Sequence, residues 1–238
     1  MSRLPARIGF WAAAAESLVS LVYIVGLVIL ITVALSEQST ADLAAYQWTD
    51  VTTYARHYAD DSVSLTVGLV VQVSALLAGI LILSVFLGHH ELVDPAWTIM
   101  TRFASAFVLM MAVMSSWGYY VQLASVHHVI MGGGDLEGLG QFVEANVSSP
   151  GMATLQLAWA LFYGLASLFI IPIFGNTRSE RWIKAGFLVN GIIGITVGFA
   201  YLFGATQILP LAVLGLVGTS FVYPLLALHF YRIAQGPQ

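Results

Sequence analysis

The chain has 238 residues, of which 59% are hydrophobic and only 8% charged, with a formal net charge of −4. A mean hydropathy of +0.88 leaves too few charges to solvate a water-borne globule, so the solvent for most of the chain must be lipid, and disorder, coiled coil, collagen-like repeats and nucleic-acid binding are excluded together. The absence of cysteine removes disulfides, thiolate metal sites, iron–sulfur clusters and cysteine nucleophiles.

A helix crossing a bilayer needs about 20 mainly apolar residues at roughly 1.5 Å rise each. Six stretches meet that requirement, and they predict an all-α, polytopic bundle forming one transmembrane domain over residues 1–238. The first runs from Ile8 to Leu35 behind Arg3 and Arg7. Ala34-Leu35-Ser36 has the small-residue look of a signal-peptide cleavage site, but the apolar stretch is about twice the length of a signal core, which favours a retained span. Within it Glu16 is the costliest residue, followed at i+4 and i+7 by Ser20 and Tyr23, so one polar stripe is expected to face the bundle. The following loop, with capping residues Ser39 to Asp42 and then Leu43, Tyr46, Trp48, Val51, Tyr54 and Tyr58, predicts a short helix lying on the interface.

The second span, Ser62 to Leu87, carries Gln72 and Ser74, and the third, Ala96 to Val126, is long enough to tilt or project past the membrane. Arg102 enters the third span from the same side as Glu16, so a buried Glu16–Arg102 ion pair is expected to lock the first helix to the third. The far half of the third span brings Ser115, Ser116, Trp117, Tyr119, Tyr120, Gln122, His127 and His128. Gly132, Gly133 and Gly134 read as a hinge, Asp135 to Ala145 as a second interfacial helix ending at Ser148-Ser149-Pro150, and Asn146-Val147-Ser148 as a glycosylation triplet of little weight. The fourth span, Met152 to Phe174, adds Gln156, Trp159 and Tyr163.

The fifth span runs from Trp182 to Phe203, with Asn190 at its middle needing a partner across the bundle, and the sixth from Ile208 to Tyr231. Gly194 with Gly198, and Ala75 with Gly79, form small-xxx-small pairs at which backbones can touch, while Pro172 and Pro224 are expected to bend helices four and six. The hairpins of spans two-three and four-five resemble each other in parallel, without the inverted repeat and broken helices of a secondary transporter. Of the eight basic residues, seven (Arg3, Arg7, Arg102, Arg178, Arg181, Lys184 and Arg232) fall on one side and Arg56 alone on the other. The positive-inside rule then predicts a multi-pass protein of the cell membrane with both termini cytoplasmic.

No phosphate-cradling glycine loop, zinc-protease helix or nucleophile elbow is present, and the sole lysine, Lys184, sits near the edge of a span, where it excludes a retinal Schiff base. Gln72, Tyr119, Tyr120, Gln122, Gln156, Trp159 and Tyr163 converge on a candidate ligand-binding cavity between helices two, three and four that opens outward. The competing account of the same residues is an aromatic belt with interhelical hydrogen bonds. Haem would need facing imidazoles, for which the pairs are His57 with His127 or His128, and His229 with His89 or His90; His89, His90, Glu91 and Asp94 also have metal-ligand chemistry. No catalytic constellation is legible and no cofactor is specified.

Trp117-Gly118-Tyr119-Tyr120-Val121-Gln122-Leu123, the loop with Leu136-Glu137-Gly138-Leu139 and Gln141-Phe142, and the helix ending Ile171-Pro172-Ile173-Phe174 resemble a group of uncharacterised prokaryotic six-helix membrane proteins. The resemblance spans about half the chain and implies an integral membrane protein without assigned activity; His127-His128 departs from it. Together these features favour a small-molecule or lipid binding or transport protein whose partners are the bilayer and a small apolar or amphipathic ligand. The alternatives are an accessory subunit resting against other membrane subunits, and a membrane haem or metal protein.

Overall fold

A computed structural model describes residues 4–37, 62–143, 148–209 and 211–235, and among these every regular element is helical. The predicted interfacial helix between Ser39 and Tyr58, together with Arg56 and His57, lies outside the described residues. Helix α1 spans Leu4–Glu37 and α2 spans Ser62–His90. Helix α3 covers Thr98–Val121, then winds as a π-helical turn over Gln122–Val126 and continues through His127–Gly132. Helix α4 is built the same way: Pro150–Gln156, a π-helical turn at Leu157–Phe162, and Tyr163–Ile170. Helix α5 spans Arg178–Leu202.

Five helical rods are therefore long and apolar enough to cross a membrane, and their composition implies contact with a lipid bilayer. The expected sixth span is in two pieces, α6 over Leu211–Ser220 and α7 over Val222–Gln235. Pro224 supplies the cause: it has no N–H to offer the carbonyl of Ser220 and its ring crowds that carbonyl, so the ladder fails one turn before it. The bend expected from Pro224 is thus a break. Pro172 likewise ends α4 in a single 3-10 turn, Ile171–Ile173, rather than bending it.

Capping sets the other boundaries. Thr177 and Glu180 form a reciprocal box, with the Thr177 hydroxyl accepting from the Glu180 N–H and Glu180 accepting from the Thr177 N–H at 3.0 Å, which starts α5 four residues before its apolar stretch. Ser149 accepts from the Met152 N–H at 2.9 Å ahead of Pro150, starting α4. The glycine run is a stop rather than a hinge: Gly133 is left-handed at φ 66, and Gly134 N–H donates to Val129 O at 2.9 Å. Between Asp135 and Val143 the structure has turns and one 3-10 turn, Leu139–Gln141, in place of the second interfacial helix, because Gly138 is itself left-handed at φ 76.

The start of α1, the turn after α2, the turn before α5 and the end of α7 gather at one end of the bundle, called the terminal end below. There Gly88 lies against Gly9, whose own face is filled by the ring of Phe230, and His89 packs on Phe174. At the middle, Gly164, Gly191 and Gly194 bring α4 and α5 into backbone contact; a Cβ on Gly194 would sit 2.6 Å from the Ala160 carbonyl oxygen. Large, fully buried side chains, among them Phe86, Phe187, Phe230, Ile82, Ile183 and Leu226, form the main core. Outward, Trp11, Leu18, Val113, Trp182 and Phe221 are exposed apolar groups suited to acyl chains.

Candidate functional site

The helices do not close on one another toward the opposite end. A cavity of about 360 Å³ runs along the bundle axis, within the volume range of small-molecule sites. Every rod contributes to its wall: α1 through Glu16, Ser20, Tyr23 and Leu27, α2 through Val71, Ala75 and Ala78, α4 through Gln156, Trp159 and Tyr163, and α5 through Asn190. Helices α6 and α7 add Ala212, Gly215, Thr219, Ser220 and Tyr223, whereas α3 gives only Tyr119. The cavity is therefore axial, not confined between helices two, three and four. The reason lies in side-chain size, since Ala75, Ala78, Ala212 and Gly215 leave unfilled the space that phenylalanines fill lower down.

Its end nearest the termini is polar. Tyr163 and Tyr223 share a hydrogen bond of 2.5 Å between their hydroxyls, and both rings are almost fully buried. Glu16, 2% exposed, lies within electrostatic reach of both phenols. Ser20 donates to Glu16 Oε1 at 2.8 Å, as the polar stripe requires, while Glu16 Oε2 is buried with no hydrogen-bond partner. Asn190 finds its expected partner by donating to Ser167 Oγ at 2.8 Å. The indole Nε1 of Trp159 is also buried without an acceptor, within the π-helical turn where α4 changes register.

The expected Glu16–Arg102 ion pair is not formed: Arg102 is exposed and Glu16 Oε2 meets no donor. Depth explains this. Glu16 lies 12 residues into α1 and Arg102 only four beyond Thr98, about 18 Å against about 6 Å of rise. Of the other expected ligand residues, Tyr119, Gln156, Trp159 and Tyr163 share the cavity wall. Gln72 is buried beside it in the packing of α2 but does not line it. Tyr120 is 64% exposed on the outer face of α3, and with Trp117 it behaves as an aromatic belt residue. Gln122 is buried and donates its amide to the Phe142 carbonyl, tying α3 to the following loop rather than meeting a ligand.

Sequence reasoning missed Thr219, Ser220 and Tyr223 as wall residues. Their signal was present: a hydroxyl-rich step directly before Pro224, where a helix interruption leaves backbone polar groups to be satisfied inside the protein. A smaller hollow of about 240 Å³ between α4 and α5, lined by Thr154, Leu157, Gly198 and Tyr201, shares Gln156 with the axial cavity.

At the terminal end, His89 and His229 do approach each other, with ring centroids 5.7 Å apart. The rings are only 32° from parallel, Phe230 lies 4.3 Å from His89, and Phe174 closes the other side, so aromatic packing fills the space a haem plane would need. His90 instead pairs with the Thr101 hydroxyl at 2.7 Å, and His229 Nδ1 stands 4.0 Å from Glu180. No group of three or more metal-ligating side chains occurs among the described residues. Comparison with protein families, with curated proteins and with solved structures returns no match to the chain.

Proposed function

We propose that this chain is a six-crossing membrane protein, one domain with both termini in the cytoplasm, that binds and passes a small apolar or amphipathic molecule through its axial cavity. The single observation carrying this reading is the cavity itself, a void of about 360 Å³ with an apolar shaft and a polar end. Apolar helices in lipid have no solvent-driven force to press them together, but they lose dispersion contacts around a void, so a retained hollow of this size is most simply stabilised by an occupant. The interruption between α6 and α7 supports the same reading, because discontinuous helices in membranes occur where backbone lines a binding site. The sixth crossing is then made by α6 and α7 together, and the basic residues near the terminal end face the cytoplasm.

The test is native mass spectrometry of the full chain released from its membrane, beside Ala212→Trp, which projects bulk into the shaft from a partly buried wall position. A retained molecule of constant mass that is lost in Ala212→Trp is expected; a wild-type chain that carries nothing and gains no thermal stability from any lipophilic probe would end the proposal. Because the chain has no cysteine, single cysteines placed at Ser179 and Asp135 can be labelled with an impermeant maleimide in intact cells, and only the Asp135 position is expected to react.

A further inference from the structure

Glu16 and Trp159 line the cavity, and each carries a buried polar atom without a partner, of opposite character: a carboxyl oxygen that lacks a donor and an indole N–H that lacks an acceptor. Buried polar groups in native proteins are almost always satisfied, and those that are not call for an explanation. Among the described wall residues Glu16 is the only carboxylic acid, and none is Lys, Arg or His. The rest of the surroundings suits a cation: Tyr23, Tyr119, Trp159, Tyr163 and Tyr223 all line the same space, and aromatic faces attract positive charge most strongly where water is excluded. An anionic ligand would set a like charge against the Glu16 carboxylate, and a neutral donor would make a hydrogen bond to it without the added ionic attraction.

We propose that the occupant of the cavity is a lipophilic amine, bound as its cation against Glu16, with a hydrogen-bond acceptor elsewhere on its skeleton that takes the Trp159 N–H. This rests on the reading of the cavity as a ligand site and names the class of ligand. Ser20 holds the other carboxyl oxygen of Glu16 at 2.8 Å, which orients the free oxygen, and the apolar shaft of Val71, Ala75, Ala78 and Leu27 takes the hydrocarbon.

The experiment compares phenylhexylamine with phenylhexanol, which share a skeleton and differ in charge, by calorimetry and thermal shift on the full chain in nanodiscs of neutral lipid. Loss of a charge-assisted hydrogen bond predicts that the amine binds the wild type about tenfold or more tightly than the alcohol, and that Glu16→Gln brings the amine down to the level of the alcohol. The alcohol should change by no more than about twofold, since it makes no ionic bond. Trp159→Phe should retain the preference for the amine but lose several-fold affinity for a methoxy-substituted phenylhexylamine. If Glu16→Gln fails to fold, the wild-type comparison decides alone. Equal binding of amine and alcohol overturns the amine assignment, identifying a proton as what neutralises Glu16, and leaves the cavity as a ligand site; binding of neither probe overturns both.

Discussion

The two ends of the bundle are both lined mainly by apolar side chains, yet one is filled and the other hollow. Toward the termini, Phe86 packs edge-on to Phe187 at 5.9 Å, Phe174 stacks on Phe187 at 6.0 Å, and His89 and Phe230 complete the plug. Toward the loops, alanines and glycines stand at the equivalent inward positions and about 360 Å³ stays empty. Hydropathy does not separate the ends, because apolar residues line both; volume does. In lipid, where burial against a helix and burial against acyl chain differ little, the size of the inward side chain decides whether a region is scaffold or cavity.

That contrast can be broken most severely from the filled end. Phe187→Ala, at a fully buried position, should cost about 3 kcal/mol through the void it leaves, read as a large fall in the thermal midpoint of the purified protein. Next is the crossing that separates the halves: Gly194→Val puts methyl groups where the Ala160 carbonyl stands and should cost about 2 kcal/mol, with α4 and α5 forced apart. Tyr163→Phe removes one member of the hydroxyl pair and strands Tyr223, for about 1 kcal/mol in the same assay. Smallest of all should be Ala212→Leu, which adds volume to the hollow half at a partly buried wall position; a change within about 0.5 kcal/mol is expected in the empty protein, with ligand-dependent stabilisation reduced. A cost above that of Tyr163→Phe would mean that the shaft is already closed.

The membrane class and the five helices long and apolar enough to cross were legible, to within a few residues at each end, because length and apolar run are local signals. Helix α5 began early only because its polar first turn, Arg178 to Arg181, hides a capping box from any reading of hydropathy. The site was half legible. Glu16, Ser20 and Tyr23 share a stripe by spacing alone, and Gln156, Trp159 and Tyr163 lie together on the cavity wall, yet which helices face them depends on packing. Arg102 does not meet Glu16 because entering from the same side fixes no depth, which follows from where each helix begins. Tyr120 and Gln122 follow Tyr119 closely in sequence, but at about 100° per residue Tyr120 turns outward, and Gln122, though buried, is taken up by the Phe142 carbonyl and does not reach the cavity wall that Tyr119 joins.

The π-helical turn at Leu157–Phe162 has a consequence for how this wall could have arisen and how it can be undone. Such a turn accommodates one residue more than an α-helix over the same rise, so everything on one side of it is rotated relative to the other. Deleting a single residue within that turn would restore regular winding while swinging Gln156 and Met152 around the rod by about a quarter-turn or more, away from the axis, and leaving Tyr163 where it is. One codon, lost or gained, would thus exchange the lining of the shaft without disturbing its floor.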